Sequence, residues 1–223
     1  MPEESLTAEL ISERLLEVRR RIERVGRDPD SVEIVAVTKG RPPADCRAAL
    51  AAGLAVLGEN RVQEALTKMP EVTGASWHLI GNLQSNKVRH AVRFQLLQSL
   101  DSLSLARALS RQMAPPPALL QVNVSRELQK HGVRPELAVA TAQSAAEVIE
   151  LRGFMAVGPR GELAAAAFAE LRRIRDEAEQ RLGRPLPVLS MGMSGDLEAA
   201  LRAGSTMLRL GTVLFGNRSL EQR

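Results

Sequence analysis

Eight short apolar runs, each passing through a glycine or polar turn into a segment of helix formers, set the tightest limit on what this chain can fold into. They fall at residues 32–37, 55–57, 76–80, 95–98, 118–123, 152–157, 186–190 and 206–210. In the first, Val32, Ile34, Val35, Ala36 and Val37 are apolar on both faces and mostly β-branched, the composition of a parallel strand covered from both sides. The intervening segments are rich in Ala, Leu, Glu and Arg and have lengths that suit crossover connections. Eight such units in 223 residues predict an α/β fold, a closed (β/α)₈ barrel somewhat below its usual size with an extra helix in front. A doubly wound open sheet is the alternative.

The leading helix is expected over residues 5–25, where Ile11, Leu15, Val18, Ile22 and Val25 repeat at spacings of four and three and Gly26 stands as terminator. Its arginines, Arg19, Arg20, Arg21 and Arg24, read as the wet face. An internal echo supports the repeated unit: DCRAALAAGLAVL at 45–57 and DLEAALRAGSTML at 196–208 match in step as helix, glycine cap and next strand. Residues 115–117 read as a turn into a strand and 158–161 as a short loop. No linker divides the chain, so one domain over 1–223 is expected.

Charge and aromatic content narrow the function classes. The formal charge is +4, but the basic residues are dispersed, and aromatics are 2% of the chain with no tyrosine, so the stacking platforms of single-strand nucleic-acid binders are missing. No apolar run approaches membrane-span length and the N-terminus lacks a basic-then-apolar signal, which predicts a cytoplasmic protein that engages neither nucleic acid nor membrane. The single cysteine, Cys46, excludes an internal disulfide and reads as a packing residue. No HExxH, paired-cysteine or acidic cluster suggests a metal, and no Gly-x-Ser-x-Gly elbow suggests a serine triad.

The chemistry gathers at strand ends. Lys39 follows the first run; a lysine there either snorkels to a rim or pairs with a carboxylate, or, partly desolvated, becomes a nucleophile toward an aldehyde. In a (β/α)₈ barrel, phosphate commonly docks at the loops after strands seven and eight. Here those loops read SMGMSG at 190–195 and RLGT at 209–212, offering Ser194, Gly195, Gly211 and Thr212 to an anion, with Thr212 expected to cap the last helix. Glu59 and Asn60 lie past the second run and Asn82 past the third. His78, inside the third, reads equally as a satisfied core histidine, while His90 and His131 read as surface residues. An amine facing a phosphate cradle suits pyridoxal phosphate, which carries both an aldehyde and a phosphate.

VAVTKG at 35–40, GENRVQE at 58–64, WHLIGNLQSNK at 77–87, QVN at 121–123, GFMAV at 153–157 and LSMGMSGDLEAALRAGSTMLRLGT at 189–212 together resemble the pyridoxal phosphate homeostasis protein family, single-domain relatives of the alanine racemase barrel. The resemblance covers essentially the whole chain. It implies a fold-type-III barrel without the C-terminal β-domain, with Lys39 forming an internal aldimine with pyridoxal 5′-phosphate. It further implies that Ser194, Gly195, Gly211 and Thr212 hold the phosphate, that Arg209 lies beside the pyridine nitrogen, and that Asn60 lines the ring pocket. The chain departs from the family at 158–161, where a longer loop is usual, and at SRELQKHG (125–132), which is glycine- and serine-rich in the family; both concern the rim over the cofactor.

An arginine beside the ring nitrogen opposes its protonation and weakens the ring as an electron sink. Racemization further needs acid/base groups on both faces. Alanine racemases use a tyrosine from a β-domain on the second face; this chain has no tyrosine and ends eleven residues after Thr212, leaving His78 or a water as substitutes. The expected role is therefore a carrier or buffer in vitamin B6 homeostasis, with PLP-dependent apo-enzymes as recipients, and not strong catalysis. A low-activity amino-acid racemase is the alternative. A monomer is expected.

Overall fold

In the computed structural model, which describes residues 6–159 and 161–217, the eight apolar runs become eight parallel strands that close on themselves. They are β1 (Glu33–Val37), β2 (Val56–Glu59), β3 (Ser76–Leu79), β4 (Leu96–Leu100), β5 (Ala118–Gln121), β6 (Leu151–Met155), β7 (Val188–Ser190) and β8 (Met207–Leu210). Neighbours pair in sequence order, and β8 pairs back onto β1 with Ile34 opposite Leu208 and Ala36 opposite Leu210. Closure excludes the open-sheet alternative, because the first and last strands cover each other's edges.

Helices α1 (Ala8–Arg24), α2 (Pro43–Ala51), α3 (Val62–Lys68), α4 (Leu103–Ser110), α5 (Pro135–Ala146), α6 (Leu163–Leu182), α7 (Leu197–Arg202) and α8 (Thr212–Phe215) surround the sheet; between β3 and β4 the chain forms a 3₁₀ run, Ser85–Arg93, in place of an α-helix. Because strand side chains alternate, the fold has two cores. The larger lies between sheet and helices and includes Leu57, Leu79, Leu120, Phe154, Phe168 and Leu208. The smaller fills the barrel with Val35, Leu96, Leu119, Met155 and Met207. The same inward rows continue upward as polar residues, and these build the site.

The leading helix begins at Ala8, capped by Thr7, whose Oγ1 accepts from the Leu10 amide at 3.3 Å; residue 5, where its start was expected, lies outside the described residues, as does Arg160 of the 158–161 loop. Ile11, Val18 and Ile22 are buried, each contributing about 2 kcal/mol by area. One arginine departs from the wet-face reading. Arg21 is half-buried and grips Glu198 with Nε and Nη2 at 2.6 and 2.9 Å, pinning α1 to α7. The internal echo is real in three dimensions. Gly53 and Gly204 have φ of 89° and 94° and close matching Schellman caps: Gly53 donates to Leu50 O and Leu54 to Ala49 O, as Gly204 does to Leu201 O and Ser205 to Ala200 O.

Candidate cofactor site

β1 ends at Val37, and Lys39 lies in the turn two residues beyond, on the inward row continued from Val35 and Val37. On β8, Arg209 lies level with Val35, so Gly211 comes alongside Val37, where a Cβ built on it would lie 3.6 Å from Val37 Cβ. Closure thus makes Lys39 and the strand-eight turn next-door neighbours. Both open on a cavity of about 700 Å³ lined by Val37, Lys39, Arg41, Gly211, Thr212 and Phe215, with Gly216 and Asn217.

The four lysines of the chain divide sharply here. Lys39 is exposed, and among the described residues its amine makes no hydrogen bond or ion pair. Lys68 is 4% exposed and saturated: Nζ donates to Thr38 O at 2.8 Å, Glu59 Oε1 at 2.7 Å and Glu64 Oε1 at 2.7 Å. Of the two bland readings of Lys39, pairing with a carboxylate describes Lys68 instead, whereas an amine reaching a solvent-exposed rim describes Lys39 itself, which is exposed and not partly desolvated.

The strand-seven and strand-eight turns are tied together. Ser194 Oγ accepts from the Val213 amide at 3.2 Å and so satisfies the first turn of α8. This corrects the expectation for Thr212. Gly211 is the N-cap, Thr212 is the first helical residue and makes no capping bond, and its hydroxyl is left for the cavity. Neither Gly195 nor Gly211 has positive φ. A Cβ at Gly195 would meet nothing within 4 Å, and at Gly211 only ordinary contacts with Val37. The protein's own packing requires glycine at neither position. Asn60 follows β2 directly; Gly81 permits its position, since a Cβ there would lie 2.2 Å from Asn60 O.

Arg209 lies inside the barrel, 4% exposed. Nη1 donates to Ser190 O and Ser190 Oγ, both at 2.7 Å, and Nη2 to Ala156 O at 2.8 Å. Ser190 Oγ passes the chain to Gln98 Oε1 at 2.6 Å, and Gln98 Nε2 meets His78 Nδ1 at 3.0 Å. Donors run one way along this series, so His78 Nδ1 accepts and the ring is neutral. Burial agrees, pushing His78 down to about 4. Burial also lowers Arg209 to about 10, with Asp196 opposing, so the guanidinium stays charged at neutral pH. His78 is therefore a buried, neutral histidine held through Nδ1, and it does not line the Lys39 cavity. His90 and His131 are exposed.

Lys39, Gly211 and Thr212 share the cavity wall; Asn60, Ser194, Gly195 and Arg209 stand around and below it without lining it. Sequence reasoning missed Arg41 and Phe215. Arg41 stacks 5.6 Å over the Phe215 ring and donates to Gly216 O at 2.7 Å, closing one wall. Among the described residues no group of three His, Cys, Asp or Glu side chains could hold a metal, and no helix is long and apolar enough to cross a membrane.

Residues 14–219 match the family model described as alanine racemase, N-terminal domain. The chain is 45% identical to the pyridoxal phosphate homeostasis protein of Pseudomonas aeruginosa over 226 residues, 96% of each chain. It belongs to that family. Among solved structures, PipY of Synechococcus elongatus with PLP bound superposes with a TM-score of 0.81 at 38% identity, over 92% of this chain and all of that one. The alanine racemase of Corynebacterium glutamicum gives 0.76 at 16% identity, with this chain covering 62% of it, and shares the barrel fold.

Proposed function

We propose that this protein binds pyridoxal 5′-phosphate reversibly at the mouth of β1 and β8 and acts as a carrier or buffer in vitamin B6 homeostasis, without strong catalysis. One observation carries the reading: the Lys39 amine, which has no partner among the described residues, opens on the same cavity as Gly211 and Thr212. The family relatives named for this role, and PipY with PLP bound, support it.

The residues present fit the group. When bound, pyridoxal phosphate supplies an aldehyde carbon open to a primary amine, an electron-withdrawing ring and a dianionic phosphate. Lys39 presents Nζ, which must shed its proton to act as a nucleophile. Thr212 and Ser194 offer hydroxyls, and Gly195 and Gly211 leave space, for the phosphate. Arg209 keeps a fixed positive charge whose hydrogen-bond partners are all neutral oxygens, opposing protonation of any ring nitrogen beside it. The neutral, buried His78 is a poor second base, which favours carrier over racemase.

Added pyridoxal phosphate should give the yellow band of a lysine-bound cofactor, trapped by borohydride on the peptide carrying Lys39 and lost in Lys39→Ala. A colourless wild-type protein would overturn the reading. Holo-protein incubated with L-alanine in D₂O should show no α-deuterium at enzyme-like rates; rapid exchange would establish the racemase.

A further inference from the structure

Directly behind the Lys39 turn, on the outer side of the barrel wall, lies a buried cluster that the proposed binding chemistry does not use. Glu59 closes β2, and Glu64 and Lys68 stand one helical turn apart on α3. Lys68 Nζ bridges the two carboxylates. Every bond the cluster makes to the neighbouring β1 turn lands on a residue flanking Lys39. On one side Lys68 Nζ donates to Thr38 O at 2.8 Å, and Thr38 Oγ1 donates to Glu59 Oε1 at 2.6 Å. On the other side the Gly40 amide donates to Glu64 Oε1. Gly40 adopts φ of 68°, so the turn bends sharply between the two anchor points.

We propose that Glu59, Lys68 and Glu64 are positioning residues that fix the height and direction of the Lys39 side chain by gripping the backbone before and after it. The inference rests on reading Lys39 as the attachment point.

Stability alone does not explain such a cluster. Two carboxyl groups share one ammonium; Glu59 is fully buried, burial raising its pKa above the ordinary carboxylate value, and its Oε2 has no hydrogen-bond partner among the described residues. Buried ion clusters of this kind are commonly neutral or unfavourable relative to apolar side chains of similar volume. What the charges supply is direction: each anchor is a charge-assisted hydrogen bond to a defined backbone or hydroxyl atom, and together they leave the turn little freedom. A nucleophile displaced by an ångström loses much of its advantage, so a device that sets its position belongs where this one is found.

The test uses the full chain and pyridoxal phosphate. Wild type must first give a borohydride-trapped adduct on Lys39; if it does not, the proposed function fails and the positioning role is moot. Glu64→Ala removes the anchor at Gly40 and leaves Lys68 paired with Glu59. It should weaken pyridoxal phosphate binding roughly tenfold and shift trapped cofactor from Lys39 toward Lys87 and Lys130. In the cofactor-free protein it should speed exchange of the Gly40 amide hydrogen roughly tenfold, while the urea midpoint moves little. Glu64→Gln, which retains an acceptor for Gly40, should restore both. Should Glu64→Ala fail to fold, Thr38→Val cuts one anchor on the other side and should weaken binding roughly threefold. Wild-type affinity and wild-type lysine distribution in the folded variant would overturn the proposal.

Discussion

Two buried polar networks meet the cofactor mouth from opposite sides of the same strands, and they are built on opposite electrostatic plans. Outside the wall, Lys68 is clamped between the carboxyl groups of Glu59 and Glu64. Inside, Arg209 hydrogen-bonds only neutral groups, Ser190 and the Ala156 carbonyl with Gln98 and His78 further along, while Asp196 acts on it without a hydrogen bond. The difference follows from what each must do. Holding a turn requires strong directed bonds, and carboxylates supply them; their charge is cancelled locally by Lys68 and separated from the cavity by the strand. The role proposed for Arg209 needs its positive charge, which a hydrogen-bonded carboxylate would neutralize. The buried amide, hydroxyl and neutral imidazole satisfy the donors of Arg209 while leaving its field intact.

The sharpest way to break this contrast is to leave the outer cluster without its cation. Burial works against the Lys68 ammonium, but Glu59 and Glu64 outweigh it and hold its pKa above the ordinary lysine value. Lys68→Met should therefore cost about 3–5 kcal/mol in urea unfolding, because the fully buried Glu59 carboxyl and the half-buried Glu64 carboxylate lose their shared cation. Joining it with Glu59→Leu should recover most of that stability without recovering cofactor affinity. Equal recovery of both would reduce the cluster to a stability element.

The inner network should show itself in acid. Burial pushes His78 down to about 4 in the fold from its ordinary 6.5, so between those pH values the unfolded chain binds the extra proton. Stability should then fall by roughly 3 kcal/mol as pH drops through this window, and be fully present above it. His78→Gln should flatten the slope measured from urea midpoints between pH 7 and 4.5; an unchanged slope would assign the loss to other groups. Cutting the series in the middle is gentler. Gln98→Leu strands Ser190 Oγ and His78 Nδ1 and should cost about 2 kcal/mol, also letting Arg209 shift and so altering the spectrum of bound cofactor. A destabilized protein with an unchanged spectrum would detach Gln98 from the positioning of Arg209.

The barrel was legible because its strands are apolar on both faces: all eight runs became strands, each within a few residues of its expected place, and the Schellman echo marked the repeat. Lys39 and the turns at 190–195 and 209–212 were legible because they are polar where strands end. The outer cluster was not, since Glu64 and Lys68 are four apart on a helix and look like any exposed i,i+4 pair; only the packing of α3 against the β1 turn buries them. The inner series was hidden differently. Ser190 reads as part of the polar turn and Gln98 as the end of an apolar run, and their convergence on Arg209 depends on barrel closure and register, which bring residues 98, 190 and 209 together from three strands. Likewise, Ser194 completing the first turn of α8 is a contact across nineteen positions that no local cap signal announces.

A last, smaller test uses Cys46 as a reporter on the outer cluster. The thiol is fully buried on α2, and burial pushes it up to about 11, only partly offset by Lys68 and by Thr38. At neutral pH a disulfide reagent can therefore reach a thiolate only when the structure opens. Because Thr38 touches both Cys46 and Glu59, an opening that bares the thiol also loosens the turn that carries Lys39. Cofactor bound to Lys39 must then be released, or held less tightly, before labelling. With pyridoxal phosphate at about ten times its Kd, the labelling rate should fall roughly tenfold, equivalent to about 1.4 kcal/mol. A rate indifferent to cofactor would show that α2 opens independently of the Lys39 turn, and would separate the outer cluster from the site it is placed to serve.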